Sequence, residues 1–263
     1  MVETEKSKQA APPKPSASII LLRDGPDGVE LFVVQRSEAM DVAANATAFP
    51  GGALDQQDID FANAINPEDH LLAVKINAIR ELFEETGLLY ASSEPEGHLL
   101  SAKQLEAVAH FRQPIIDEQL TFERFLADQG LHLRHDALFH FIKLVTPKVV
   151  RRRFSTDFFV AVEPADQRPD HHKDELQSAY WCSLQSLLKE SATGSIELRF
   201  PTELNCVRLA QQDSVENIMT NLEHPVPVVT PFVEKLDDGI LLTAPPEAGV
   251  GNMQRLVPLT IES

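Results

Sequence analysis

Apolar residues gather in two short runs near the start of the chain, at 17–23 (ASIILLR) and 30–36 (ELFVVQR), on either side of an Asp-Gly-Pro-Asp-Gly segment. Runs of this length bounded by Gly and Pro predict a β-hairpin. The segment 46–55 reads as a short strand ending in a Pro-Gly-Gly loop, and 56–69 is polar with a proline, which predicts an inserted loop. From about Leu71 the spacing becomes helical. At about 100° per residue, Leu72, Ile76, Ile79 and Phe83 fall in one narrow stripe that should face a core. Glu81 lies opposite that stripe with Glu84 and Glu85 on either side, and Gly87 supplies the left-handed stop that ends a helix.

Downstream, 102–112 and 119–128 read as helical, and 138–147, 153–163 and 176–183 as strands. Residues 184–190 and 201–222 read as helical again, and the Pro-rich stretch 225–263 holds one or two short strands. The pattern predicts an α/β fold: a mixed sheet with helices packed on its faces. Residues 1–16 lack periodicity and predict a disordered tail, with one domain over 17–200 and a C-terminal extension, 201–263, packed on it.

Composition narrows the choice of function. The 263 residues hold 23 Lys and Arg against 40 Asp and Glu, a formal charge of −17. Duplex nucleic acid and anionic membranes are held by basic contacts, so this balance argues against both as partners. An anionic substrate would need a metal or a local basic patch. Cys182 and Cys206 form no CxxC pair, which leaves neither a disulfide framework nor a cysteine zinc site and points to a reducing compartment. Without a secretory pattern or an apolar run approaching membrane length, the expected location is the cytoplasm. Oligomeric state is not fixed by the sequence, and a homodimer stays open.

The chemistry concentrates in 80–88, RELFEETGL, where Glu81, Glu84 and Glu85 crowd into five positions. Two charges about 6 Å apart repel by roughly 3 kcal/mol at an effective dielectric near 20. Such a cluster either raises its own pKa values or takes up a cation. An all-oxygen set without His or Cys suits Mg²⁺ or Mn²⁺. A solvated acidic helix face would give the same spacing.

The surroundings of these acids carry a resemblance. The Nudix box reads Gly, five residues, Glu, seven residues, then R-E-U-x-E-E-x-G-U with U apolar. RELFEETGL matches its second half at every defined position, and FPGGALDQQD resembles the first half with Gly52 as the glycine. Two departures stand out: Asp58 replaces the first Glu, and 21 residues separate it from Arg80. An insertion inside the box, with LVTPKVVRRRFSTDFFVA and ELRFPTELNCVRLA further on, is similar to the coenzyme A diphosphatase-like subfamily. The resemblance covers 17–210.

It implies an α/β/α sandwich and a divalent-metal hydrolase of a nucleoside diphosphate linked to another moiety, with coenzyme A or an acyl-CoA preferred. Glu81 and Glu85 would be the principal metal ligands, and Glu84 would complete the set or bind a second ion. One of the three would take the proton of the attacking water, Arg80 would hold a box glutamate by a salt bridge, and the Gly51 and Gly52 carbonyls would approach the metal. Asp58 could still reach it. A non-catalytic Nudix domain sensing a nucleotide-like ligand is the alternative, opposed by the intact carboxylates. An RNA-directed member of the fold suits the acidic charge poorly.

Other candidates have bland counterparts. Glu175 is a further acid by resemblance, or a plain loop residue. His171 and His172 are acid–base or metal candidates, or simply exposed. Arg36 and Arg153 are candidate substrate contacts, since guanidinium forks match phosphate oxygens, but with Arg151 and Arg152 they also read as surface charge. The cysteines read as buried small apolar residues, and the Phe-rich segments 138–141 and 158–159 as core strands rather than base-stacking platforms.

Overall fold

A computed structural model describes residues 10–36, 46–170 and 176–258. Strands β1 (Lys14–Gly25) and β2 (Gly28–Arg36) form the expected hairpin, but they pair with each other only from Leu22↔Leu31 to Gly25↔Gly28. Beyond that the hairpin forks. Two short strands fill the fork: β3 (Thr47–Ala48) on β2 and β4 (Gly51–Ala53) on β1. Strand β1 begins at Lys14, inside the segment expected to be a tail, because its first residues are paired on both sides.

The polar segment after β4 is a helix, not a loop. Helix α1 spans Gln56–Ile65, opened by the Asp55 amide donating to Asp58 Oδ2 at 3.1 Å. Helix α2 (Leu72–Thr86) follows, and Gly87 closes it in the left-handed conformation at φ 73°, as the spacing predicts. Leu72, Ile76, Ile79 and Phe83 are all buried, each contributing on the order of 1.5–3 kcal/mol.

The chain continues through β5 (Ala91–Ser92), α3 (Ala102–Val108), α4 (Arg112–Ile116), α5 (Phe122–Asp128) and β6 (His132–Leu133), which pairs with β5. It then lays down β7 (Phe139–Val145), β8 (Phe154–Val162) and β9 (Leu176–Ser183). Helices α6 (Leu184–Ala192), α7 (Phe200–Leu209) and α8 (Val215–Thr220) and strand β10 (Val228–Val229) follow. A separate antiparallel meander, β11 (Phe232–Lys235), β12 (Gly239–Thr243) and β13 (Gln254–Pro258), makes the C-terminal region richer in strands than its prolines suggested.

The main sheet runs β10-β7-β8-β1-β2-β3, with β4 on β1 and β9 on β2, and is mixed because β8 lies parallel to β1. Alternation along β1 sends Ile19 and Leu21 into a core shared with α2 to α5, and Ile20 and Leu22 into a second core shared with α6 to α8. The result is a three-layer α/β/α sandwich. Among the described residues no helix is long and apolar enough to cross a membrane.

Candidate active site

Helix α2 docks on the outer edge of β4, and the phase of the β1–β4 ladder explains how. Ile19 N donates to Pro50 O and Leu54 N donates to Pro15 O. Those bonds make Ser18↔Gly51 and Ser16↔Ala53 the pairs that exchange no hydrogen bonds across the ladder. The peptide groups of Gly51 and Ala53 therefore point away from β1, towards α2. The helix answers at one-turn intervals. Asn77 Nδ2 donates to Ala53 O at 3.0 Å, and Gly51 N donates to Glu85 Oε2 at 3.1 Å. Between them the Glu81 carboxylate lies against Gly52, where an added Cβ would stand 2.4 Å from its carboxyl carbon. Gly51 has φ +150°, and a Cβ there would meet Ala17 O at 2.2 Å. Both positions need glycine, for different reasons.

The acidic face of α2 is thus covered rather than turned to solvent. Glu85 is 4% exposed, and Arg80 among the acids is 2% exposed. Arg80 is the hub. Its Nε and Nη2 donate to the two oxygens of Asp58 at 2.9 and 3.0 Å, and its Nη1 donates to both oxygens of Glu84 at 3.1 and 3.0 Å. Nη2 also lies 3.1 Å from Glu81 Oε1 and 3.4 Å from Asp55 Oδ2. Burial by itself would lower the pKa of this guanidinium. The Asp58 hydrogen bonds and the charges of Glu81, Asp58 and Glu84 outweigh burial and raise it.

Asp58 is 1% exposed, and its carboxylate accepts from Arg80 twice and from the Asp55 amide once. It is therefore occupied in clasping Arg80, and its expected reach towards a metal is corrected. The salt bridge from Arg80 to box glutamates is present, to both Glu81 and Glu84.

The carbonyls at the end of α2 are tied down as well. Arg112 Nε donates to Glu84 O at 2.9 Å and Nη1 to Asp170 O at 2.5 Å, and Asp170 N donates to Thr86 O at 2.8 Å. A cation at a helix C-terminus is favoured by the helix dipole. This clip joins residues 28 and 58 positions apart, and no local signal in the sequence predicts it.

Other candidates sit elsewhere. Arg153 lies at the β7–β8 turn, where Nε donates to Thr146 O at 3.1 Å and Nη1 to Ala11 O at 2.7 Å, so its fork holds backbone. It is five strand positions from the level of Gly51, roughly 16 Å along the sheet. Arg151 and Arg152 precede β8 and are not in the strand, so alternation does not assign them faces. Glu175, His171 and His172 lie outside the described residues, as does the side chain of Arg36. Burial pushes the Cys182 thiol up to about 12 and raises that of Cys206 too, consistent with inert packing residues.

A three-layer sandwich whose acid-rich helix is docked on a glycine strand in the fork of a hairpin defines the Nudix fold. Comparison with known proteins agrees. A crystal structure of a NUDIX hydrolase from Alicyclobacillus acidocaldarius superposes with a TM-score of 0.68 at 26% identity, covering 81% of this chain and 98% of that one. A curated Caenorhabditis elegans protein named "Putative nudix hydrolase 7" is 25% identical over 181 residues, 69% of this chain. The match spans 56% of that relative's length. The NUDIX domain of Shewanella oneidensis NrtR, solved with ADP-ribose, overlays more loosely, with a TM-score of 0.44 at 12% identity over 81% of this chain and 100% of its own. No family model matches the chain. Its fold and its relatives are those of the Nudix hydrolases.

Proposed function

We propose that the protein is a divalent-metal-dependent hydrolase of the diphosphate bond in a nucleoside diphosphate linked to another moiety, with coenzyme A or an acyl-CoA as the preferred substrate. One observation carries the reading: three carboxylates share one helical turn over a glycine strand, Glu81 and Glu84 held by the buried Arg80 and Glu85 by the Gly51 amide. Among the described residues no three acidic, His or Cys side chains already converge as a closed cation cage. The donors nevertheless suit a hard dication. Glu81 occupies the cradle that a Cβ on Gly52 would fill, and the Gly51 carbonyl lies on the strand edge facing Glu85. Glu81, Glu85 and the Gly51 carbonyl would hold Mg²⁺ or Mn²⁺, with Glu84 completing the set.

The bound metal would polarise the diphosphate and offset charge on the leaving group. The chain's own residues do the rest. Hydrolysis adds water across the P–O–P bridge: the water oxygen bonds to one phosphorus, the bridging oxygen leaves with the other, and a carboxylate takes the proton. Arg80 fixes the Glu81 and Glu84 carboxylates, and Arg112 and Asp170 fix the helix end that carries Glu84 and Glu85. Such positioning is worth large factors in rate.

The test is a screen of CoA, NADH, ADP-ribose, diadenosine polyphosphates and nucleoside triphosphates with mass-spectrometric identification of products. CoA should yield 4′-phosphopantetheine and 3′,5′-ADP. Chelation should abolish turnover, and Mg²⁺ or Mn²⁺ should restore it. Glu85→Gln should keep the circular-dichroism spectrum and lose most activity, and undiminished turnover in that variant would refute the assignment.

A further inference from the structure

Helices α1 and α5 frame a groove that begins beside the carboxylates of α2. Its near part, about 130 Å³, lies between the starts of the two helices, lined by Asp58, Asp60 and Phe61 on one side and Thr121, Phe122 and Glu123 on the other. Its far part, about 350 Å³, lies between their ends and β6, where Phe61, Ile65, Leu126, Leu131 and Leu133 give it an apolar lining. Phe61 borders both parts, which makes them one groove. Ile65, the last residue of α1, is 48% exposed, an apolar side chain with an open flank.

Distances tie the groove to the candidate active site. Asp58 Oδ2 and Glu81 Oε1 both lie on Arg80 Nη2, at 3.0 and 3.1 Å, so these oxygens are at most about 6 Å apart. From Asp58 to Ile65 helix α1 rises about 10 Å. The apolar part therefore opens about 10 Å from the Glu81 carboxylate and reaches about 16 Å from it. In an acyl-CoA, about 15 Å of extended chain separates the diphosphate from the thioester. The lengths agree, and so does the order of the lining, polar first and apolar beyond.

Charge decides which end of a substrate enters. The acids of the near part, Asp58, Asp60 and Glu123, repel a phosphate and offer acceptors to amide N–H groups. In the far part Arg134 is closed on Asp136 by hydrogen bonds of 2.8 and 2.7 Å, so its fork is not presented to an anion. A neutral arm, amide-bearing near the diphosphate and aliphatic further on, suits both parts. The phosphates of a nucleotide suit neither.

We infer that the groove between α1 and α5 is a chain-length-determining subsite, which receives the pantetheine arm of the substrate and, beside Phe61 and Ile65, the first carbons of a thioester-linked acyl chain. This rests on the hydrolase reading above and makes the acylated form a better substrate than free CoA. Helix α1 then has two tasks: its first turn clasps Arg80 through Asp58, and its last carries the acyl contact.

The experiment compares ligands that differ only in the acyl chain. In chelator, without metal, calorimetry should show hexanoyl-CoA binding at least about tenfold more tightly than CoA, since each methylene fully withdrawn from water is worth about fourfold. With Mg²⁺, kcat/KM should climb from butanoyl-CoA to octanoyl-CoA. Ile65→Glu, at an exposed position, should keep the parental Tm and bring the hexanoyl-CoA to CoA ratio to about one in both assays. Ile65→Leu should preserve that ratio, and Ile65→Trp, by filling the groove, should reverse the trend against octanoyl-CoA. A parent indifferent to chain length, binding of neither ligand, or a parental ratio in Ile65→Glu would each overturn the inference. So would a dimer that Ile65→Glu dissolves while the chain-length trend stays intact, since the groove would then belong to a second copy of the chain. The two readings fail separately: cleavage of CoA with a flat chain-length profile sinks only the subsite, and a hexanoyl-CoA preference in binding without cleavage of any diphosphate sinks only the hydrolase assignment.

Discussion

Gly52→Ala is the sharpest probe of the site because its clash falls on one flexible side chain. The new Cβ would stand 2.4 Å from the Glu81 carboxyl carbon and 2.5 and 2.6 Å from its oxygens, whereas ordinary contact begins at 3.4 Å. The carboxylate must withdraw by about 1 Å, a displacement that costs on the order of 100-fold when it misplaces a reacting group. Gly52, unlike Gly51, has no left-handed φ, and Glu81 yields at the far end of its arm. Stability should change by no more than about 1 kcal/mol, a Tm shift of about 2–4 °C. Steady-state CoA hydrolysis and thermal denaturation on the same samples would therefore separate: kcat/KM falls 10- to 100-fold while Tm barely moves. Gly51→Ala should instead unfold the strand, since its Cβ meets backbone at Ala17 O. Shortening the acid in the Gly52→Ala background, with Glu81→Asp, should give a non-additive double-mutant cycle. Parental turnover in a stably folded Gly52→Ala would mean that the Glu81 carboxylate does not serve the chemistry.

Three further outcomes are expected. Arg80→Met should cost about 3–5 kcal/mol in urea denaturation, because it strands the buried Asp58 carboxylate. Adding Asp58→Leu should recover part of that loss, and Arg80→Lys should not match the parent, since one ammonium cannot fork to both Asp58 and Glu84. Asp157 on β8 is buried beside Lys143 and His140 of β7, whose contacts outweigh burial and hold its folded pKa below its unfolded value, so its contribution is present above the unfolded pKa and lost as pH falls through the folded one. Asp157→Asn should therefore flatten the acid limb of the stability–pH profile, and an unchanged limb would show that the ion pair contributes nothing. With burial pushing Cys182 up to about 12 and raising Cys206, neither thiol should react with iodoacetamide at neutral pH until denaturant is added.

What the sequence disclosed follows from which interactions are local. The stripe Leu72, Ile76, Ile79 and Phe83 and the Gly87 stop are periodic features of one segment, so helix α2 was readable in place. Helix α1 was not. Its buried positions are only Asp58 and Ala62, and what holds it is an ion pair with Arg80, 22 residues away. The same contact hid the duty of Asp58, which single-chain spacing left open to a metal. Glu81, Glu84 and Glu85 were recognisable as a set, but their cover by β4 depended on the phase of a ladder with β1.

The clasp between Asp58 and Arg80 also bears on how such an enzyme changes over time. Chain leaves the catalytic neighbourhood at Asp55, makes an excursion, and rejoins it at Leu72, with the exit latched to the far bank by one bidentate pair. Lengthening a detour whose ends are already pinned costs only fractions of a kcal/mol per added stretch. The part of that bulge beyond the latch, residues 66–71 between the two helices, can therefore be lengthened while the acids stay in register, which makes it a natural place to graft a new selectivity onto an unaltered engine.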